Sequence, residues 1–124
     1  MGDPDKGLSG KRILVAEDEP ILAMLLEDLL GELGCVVVGP ALRLREAEAM
    51  ARDEAVDGAL LDVNMGEGRT FEVARILTGR GIPFCFSTGY GEAGIDAEFR
   101  AAPVLQKPYR QADLAEALKC LPMP

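Results

Sequence analysis

Short apolar runs alternate with amphipathic segments along most of the chain. Five runs are apolar almost throughout and rich in strand-forming residues, and they are predicted to be strands: residues 12–16, 35–38, 58–62, 84–87 and 104–106. Strands that are apolar on both sides, rather than alternating, are typical of parallel sheets covered on both faces. The second run is predicted to close at Gly39-Pro40.

Between these runs, apolar residues recur every three or four positions, which indicates helices. Pro20 suits a first helical position, and Gly34 suits a helix C-terminus. The predicted helices are residues 20–33, 44–54, 71–77, a weak one at 93–100, and 112–121. Five strands alternating with five helices predict an α/β fold with a parallel sheet and helices on both faces.

Composition narrows the class of protein. A chain of 124 residues has the length of a single domain. We predict a flexible polar tail at residues 1–10 and a domain at 11–124. The net charge is −8 with the basic residues scattered, which argues against a nucleic-acid partner. Neither a membrane span nor a secretory signal is recognisable, so a cytoplasmic protein without a membrane partner is expected.

The residues available for chemistry are limited. The chain contains no histidine, which removes most nucleophile–base pairs and common zinc sites. Its three cysteines (Cys35, Cys85 and Cys120) lack Cys-x-x-Cys spacing and are predicted to be reduced and buried. Chemistry is therefore left to carboxylates, lysine and hydroxyls.

Polar residues close four of the five predicted strands. They are Glu17-Asp18 after the first strand, Asp62 in the third, Ser87-Thr88 in the fourth and Lys107 after the fifth. The carboxyl ends of parallel strands meet at one edge, where ligands bind in open α/β sheets. Each residue alone has an ordinary explanation as a helix cap or surface group, but the set predicts a site.

The set is chemically coherent. Three crowded carboxylates repel one another unless a cation neutralises them, and hard oxygen ligands suit Mg²⁺ or Mn²⁺. A carboxylate oxygen could then act as a nucleophile toward a phosphoryl group. Lys107 offers a positive charge to that group, and the Thr88 hydroxyl offers a hydrogen bond.

From residue 12 to residue 121 the chain resembles the response-regulator receiver (CheY-like) family. The matching segments are Ile13-Leu-Val-Ala-Glu-Asp18, Ala59-Leu-Leu-Asp62, Ser87-Thr88-Gly89 and Lys107-Pro108-Tyr109. The resemblance implies a flavodoxin-like, doubly wound (βα)5 fold with strand order 2-1-3-4-5. It also implies a two-component signalling protein that accepts a phosphoryl group in a Mg-dependent reaction.

The resemblance further implies roles for individual residues. Asp62 would be the phosphoacceptor and, with Asp18, a direct metal ligand. Glu17 would act on the metal largely through water, and the Asn64 backbone carbonyl would complete the ligands. Thr88 would sense the phosphoryl group and Lys107 would bind it. The peptide bond before Pro108 would be cis.

The chain departs from the family pattern at the residues that transmit the signal. Val104 stands where many receivers carry a switch aromatic. The segment 83–91 resembles a subgroup with a Phe-Ala-Thr-Gly-Tyr signature, except that Ser87 replaces the alanine. That subgroup occurs mainly in alphaproteobacteria, alone or within larger stress-response regulators. Tyr90 is therefore either a substitute switch aromatic or an exposed loop residue, and Tyr109 is a further output candidate.

The expected partners are a sensor histidine kinase or histidine phosphotransfer protein and an unknown downstream protein. The chain would be a monomer or weak dimer, and not an enzyme beyond its own phosphorylation and dephosphorylation. It would serve as a relay intermediate, phosphate sink or adaptor, either complete or as a fragment of a larger regulator; its last residues favour the complete protein.

Two other classes fit less well. A haloacid-dehalogenase-like phosphatase needs an Asp-x-Asp motif, but Asp62-Val63-Asn64 lacks the second acid and lies on the third strand. A flavodoxin-like cofactor binder needs a phosphate loop after strand one, where Glu17-Asp-Glu-Pro20 would repel phosphate.

Overall fold

A computed structural model, which describes residues 6–89 and 94–124, contains one five-stranded parallel sheet. The strands are β1 (Arg12–Ala16), β2 (Val36–Ala41), β3 (Gly58–Asp62), β4 (Phe84–Thr88) and β5 (Val104–Gln106). Their order is β2-β1-β3-β4-β5 with every pairing parallel, so the predicted fold class and strand order are confirmed.

Four α-helices cover the two faces of the sheet within the described ranges: α1 (Pro20–Glu32), α2 (Leu44–Asp53), α3 (Phe71–Gly79) and α4 (Gln111–Lys119). One core cluster joins the sheet to α2 and α3, and a second joins it to α1 and α4. The two-sided burial accounts for the continuously apolar strands. None of the helices in residues 6–89 and 94–124 combines the length and apolar character that a membrane span requires.

The segment before β5 differs from the prediction of a fifth helix at 93–100. Its described part, from Gly94 on, contains a short 3₁₀ turn at Ala97–Phe99. Ile95 and Phe99 are its buried anchors, and the Phe99 ring stacks on Phe71 with 5.5 Å between centroids. Because side-chain packing fixes the segment, it does not need helical hydrogen bonds to stay in place.

The second strand does not stop at Gly39-Pro40 as predicted. Gly39 has φ +99°, and a Cβ there would lie 2.7 Å from the Ala41 nitrogen, so only glycine fits. The chain then pairs again, with Ala16 opposite Ala41. The Ala41 carbonyl accepts the Glu17 N–H at 3.0 Å, which holds Glu17 at the end of β1.

The predicted tail boundary at residue 10 is also wrong. Residues 6–8 form a 3₁₀ turn, and Leu8 is 1% exposed in the core beneath α1 and α4. The Gly10 N–H donates to the Gly34 carbonyl at 2.8 Å. The packed domain therefore starts before residue 11, and residues 1–5 of the predicted tail lie outside the described residues.

The thiols separate into two classes. Cys35 and Cys85 are buried as predicted, whereas Cys120 is exposed, because it follows the last turn of α4. Burial raises the pKa of Cys85 to about 12, so its thiolate is scarce at neutral pH. We expect N-ethylmaleimide to modify only Cys120 in the folded protein, and all three cysteines in denaturant. Mass spectrometry of tryptic peptides tests this, and rapid native modification of Cys85 would contradict it.

Candidate functional site

Three carboxylates converge at the carboxyl ends of β1 and β3. Each of Glu17, Asp18 and Asp62 places one oxygen within 4.8 Å of the other two. Glu17 is 1% exposed and Asp62 7%. Burial and the neighbouring Asp62 charge raise the pKa of Glu17, against the opposing hydrogen bond from Lys107. Burial also raises the pKa of Asp62, although the Lys107 ammonium offsets part of the rise. The arrangement is an acidic pocket that favours a cation.

Lys107 supplies a positive charge from the end of β5. Its Nζ lies 3.0 Å from Glu17 Oε1 and 3.2 Å from Asp62 Oδ2. Burial alone would lower the pKa of Lys107, but hydrogen bonds and attraction to both carboxylates raise it overall. The Lys107 N–H donates to the Thr88 carbonyl at 2.8 Å, which holds the lysine beside β4.

Backbone and hydroxyl donors hold the Glu17 and Asp62 side chains and the end of β3 in position. The Asn64 N–H donates to Asp62 Oδ1 at 3.3 Å, and the Glu19 N–H donates to Glu17 Oε2 at 3.2 Å. The buried Thr70 hydroxyl donates to the Asp62 backbone carbonyl at 2.8 Å. Thr70 was missed from the sequence, because a threonine before an apolar helical run resembles a helix cap.

The predicted signalling residues lie at different depths. Thr88 is buried at the end of β4, next to Ser87, which is paired with Asp62. Val104 is partly buried against the core under α2 and α3. Tyr109 packs, half-buried, against the other core, and burial raises the pKa of its hydroxyl. The Lys107–Pro108 peptide bond is cis. Tyr90 lies outside the described residues.

The acidic pocket fits a small hard cation. Its donors are carboxylate oxygens, the ligand type that Mg²⁺ and Mn²⁺ prefer. Gly66 leaves space beside it, since a Cβ at this position would approach Asp18 Oδ2 to 3.0 Å. Its φ of +67° also favours glycine. Asn64 follows two residues after Asp62 and forms an isolated bridge with Arg69.

An apolar surface borders the pocket. Ile21, Met24 and Leu25 of α1 are 81%, 64% and 50% exposed. Beside them lies a cavity of about 350 Å³. Its lining combines leucines of α1 (Leu22, Leu25, Leu26 and Leu29) with Glu17, Lys107, Pro108 and Tyr109. Large apolar side chains exposed side by side mark an interaction surface more often than scattered ones do.

Comparisons with known proteins agree with this geometry. PhyR, the phyllosphere-induced regulator of Methylorubrum extorquens, is 32% identical over 111 residues, which are 86% of this chain and 41% of PhyR. The chain thus matches less than half the length of that relative. The solution structure of SdrG from Sphingomonas melonis Fr1 is 42% identical with a TM-score of 0.78, covering 89% of this chain and 94% of SdrG.

Two further structures bear on the site. SdrG has also been solved in a BeF3-activated conformation, at 42% identity and TM-score 0.75, covering 90% of this chain and 95% of that one. The receiver domain of a sensor histidine kinase from Pseudomonas aeruginosa PAO1 was crystallised with a magnesium ion coordinated in its active-site cleft. It is 25% identical with a TM-score of 0.75, covering 90% of this chain and 96% of that domain.

The response regulator receiver domain model matches residues 13–119, from the second residue of β1 to the last residue of α4. That range contains the sheet except for Arg12, together with the acidic pocket and Lys107. The chain belongs to the response regulator receiver domain family.

Proposed function

We propose that the protein accepts a phosphoryl group on Asp62 and signals through contacts with other proteins. The observation that carries the proposal is the contact of Lys107 Nζ with both Asp62 and Glu17 inside the three-carboxylate pocket. Asp62 thus lies between the Lys107 ammonium and two further carboxylates. This arrangement suits a phosphoryl acceptor that needs a divalent metal to neutralise the carboxylates. We propose that only this self-phosphorylation and its reversal occur, without turnover of a separate substrate.

Each residue has a distinct part in the proposed reaction. An Asp62 oxygen is the nucleophile, and the Asn64 N–H and Lys107 Nζ orient its carboxylate. Mg²⁺ or Mn²⁺ would be held by Asp18 and Asp62, by Glu17 through water and by the Asn64 carbonyl. When bound, the cation polarises phosphoryl oxygens and lowers the negative charge of the pocket. Lys107 and the Thr88 hydroxyl then bind the transferred group.

The proposed donor is a sensor histidine kinase or a histidine phosphotransfer protein. The chain has no histidine, so the phosphohistidine donor must lie outside the given sequence. The net charge of −8 disfavours a direct nucleic-acid partner.

The test is incubation of the purified protein with acetyl phosphate and Mg²⁺. Intact-mass spectrometry should show one added phosphoryl group that is lost on prolonged incubation, with no added group when EDTA is present. BeF3, which gives an activated conformation of SdrG, should shift amide resonances near Asp62. Turnover of p-nitrophenyl phosphate without labelling would instead favour the phosphatase alternative, and labelling absent under all conditions would refute the proposal.

The apolar face of α1 is the proposed contact for the donor protein, because it adjoins the cavity that Lys107 and Glu17 line. Met24 is 64% exposed. Replacing it with lysine should slow transfer from a phosphorylated phosphotransfer protein about tenfold, the effect expected when an apolar residue that anchors a protein–protein interface is lost. Labelling by acetyl phosphate should stay within about twofold, because no donor protein is involved.

Val36→Lys is the matched control, since Val36 is also an exposed apolar residue, 44% exposed, but lies at the start of β2. Both rates are measured by radiolabel transfer. Equal losses in the two lysine variants would contradict a donor contact on α1.

A further inference from the structure

A second groove adjoins the acidic pocket. Its volume is about 420 Å³, and Asp18 forms part of its wall. The rest of the lining comes from the loops that follow β2 and β3: Leu42, Arg43, Met65, Gly66 and Glu67. Because a side chain on Gly66 would approach Asp18, the glycine keeps the groove open toward the pocket. A small molecule in this groove would lie next to the carboxylate cluster that contains Asp62.

Arg43 is the cation in the lining of this groove. Its side chain forms no hydrogen bond or ion pair with any part of the chain that the structure describes. The nearby carboxylates accept hydrogen bonds from backbone N–H groups instead. Glu67 accepts the Leu44 N–H at 3.1 Å, and Glu46 accepts the Leu42 N–H at 3.2 Å. The Arg43 guanidinium is therefore available to a ligand.

Phosphodonors are anions, and this protein repels anions. Its net charge is −8, and the proposed acceptor oxygen belongs to a cluster of three carboxylates. The Lys107 ammonium already contacts two of them. A guanidinium binds phosphate oxygens through paired hydrogen bonds. Arg43 can thus attract a donor without giving up an internal contact.

We propose that Arg43 is a positioning residue that binds small anionic phosphodonors in this groove before transfer to Asp62. The inference rests on the proposed acceptor function. In transfer from acetyl phosphate, an Asp62 oxygen forms the new bond to phosphorus. The bond from phosphorus to the acetyl oxygen breaks, and acetate leaves with the electron pair. Arg43 takes no part in these bond changes, so it acts on donor encounter and affinity.

The test compares Arg43→Ala with Arg45→Ala. Arg45 is an exposed arginine of α2 that does not line the groove, so its loss changes net charge equally. The second-order rate constant for labelling by acetyl phosphate should fall about fivefold in Arg43→Ala, the size expected for one exposed charge contact. It should stay near the wild-type value in Arg45→Ala, and Arg43→Lys should recover most of the loss.

Three further measurements distinguish a role of Arg43 in positioning the donor from a role in the fold. Phosphoramidate carries less negative charge than acetyl phosphate, so its labelling rate should fall less than about twofold in Arg43→Ala. Added KCl should reduce the ratio of the wild-type to the Arg43→Ala rate constant for acetyl phosphate labelling, because salt screens the attraction of Arg43 for the donor. Independently of transfer, acetylphosphonate, a non-transferring analogue, should shift the Arg43 side-chain N–H resonance in wild-type protein but not that of Arg45.

The outcomes are distinguishable. An unchanged acetyl phosphate rate in Arg43→Ala, or an equal loss with both donors, would overturn the role of Arg43 while leaving Asp62 as acceptor. Failure to label wild type with either donor would overturn the acceptor function itself. A resonance shift at Arg45 equal to that at Arg43 would show a diffuse charge effect and would also overturn the proposal.

Discussion

Replacing Asp62 with asparagine should abolish phosphorylation by acetyl phosphate. Asparagine keeps the size of the side chain and the acceptor for the Asn64 N–H, but its amide is not a competent nucleophile. The fold should persist, because the Thr70 hydroxyl bonds to the Asp62 backbone rather than its side chain. Intact-mass spectrometry should show full labelling of wild type and none of the variant.

Asp28→Asn is the matched control, since Asp28 is an exposed carboxylate of α1 that is absent from the acidic pocket. It should label like wild type. Equal labelling of the Asp62 variant would mean that another carboxylate accepts the phosphoryl group. Peptide mapping after borohydride reduction would then identify that residue.

Mg²⁺ should stabilise the folded protein, and Asp18→Asn should remove most of that stabilisation. A ligand at ten times its dissociation constant adds about 1.4 kcal/mol to the free energy of unfolding. In a domain of this size that corresponds to an increase of about 5 °C in Tm. Asp18 makes none of the hydrogen bonds or ion pairs among the described residues, so the substitution should spare the metal-free fold.

Relief of repulsion in the pocket should keep the metal-free Tm of Asp18→Asn at or above that of wild type. Differential scanning fluorimetry with Mg²⁺ or EDTA measures both effects, and Asp28→Asn should respond to Mg²⁺ as wild type does. An unchanged wild-type Tm in Mg²⁺ would contradict a cation site in this pocket. A persistent Mg²⁺ response in Asp18→Asn would assign the cation to other ligands.

The strands and the pocket were predictable because they follow from local patterns. Each strand is apolar along most of its length, and parallel topology brings the last residues of the strands to one edge of the sheet. Glu17, Asp18, Asp62 and Lys107 could therefore be grouped before any distance was known. Their grouping is a property of the sheet, whereas the contact of Lys107 with both Glu17 and Asp62 depends on side-chain packing.

The structure differs from the sequence-based prediction where contacts between residues distant in the sequence outweigh the local sequence pattern. Gly39-Pro40 resembles a strand end, yet pairing of Ala41 with Ala16 resumes the strand beyond it. Leu8 lies in a polar stretch but is buried by α1 and α4. Phe99 lies in a segment with helical spacing, but its ring contacts fix a 3₁₀ turn there. None of these partners is near in sequence.

The last residues of the chain and the Asp62 carboxylate lie at opposite ends of β3. Met123 covers Gly58, the first residue of the strand, while Asp62 is the last, about 13 Å away at ordinary strand rise. The Lys11 ammonium reaches the Pro124 carbonyl on the same side as Met123. A sensor chip that captures the protein through a C-terminal tag would therefore present the Asp62 edge to solution. Immobilised and free protein can then be compared directly in donor-binding measurements.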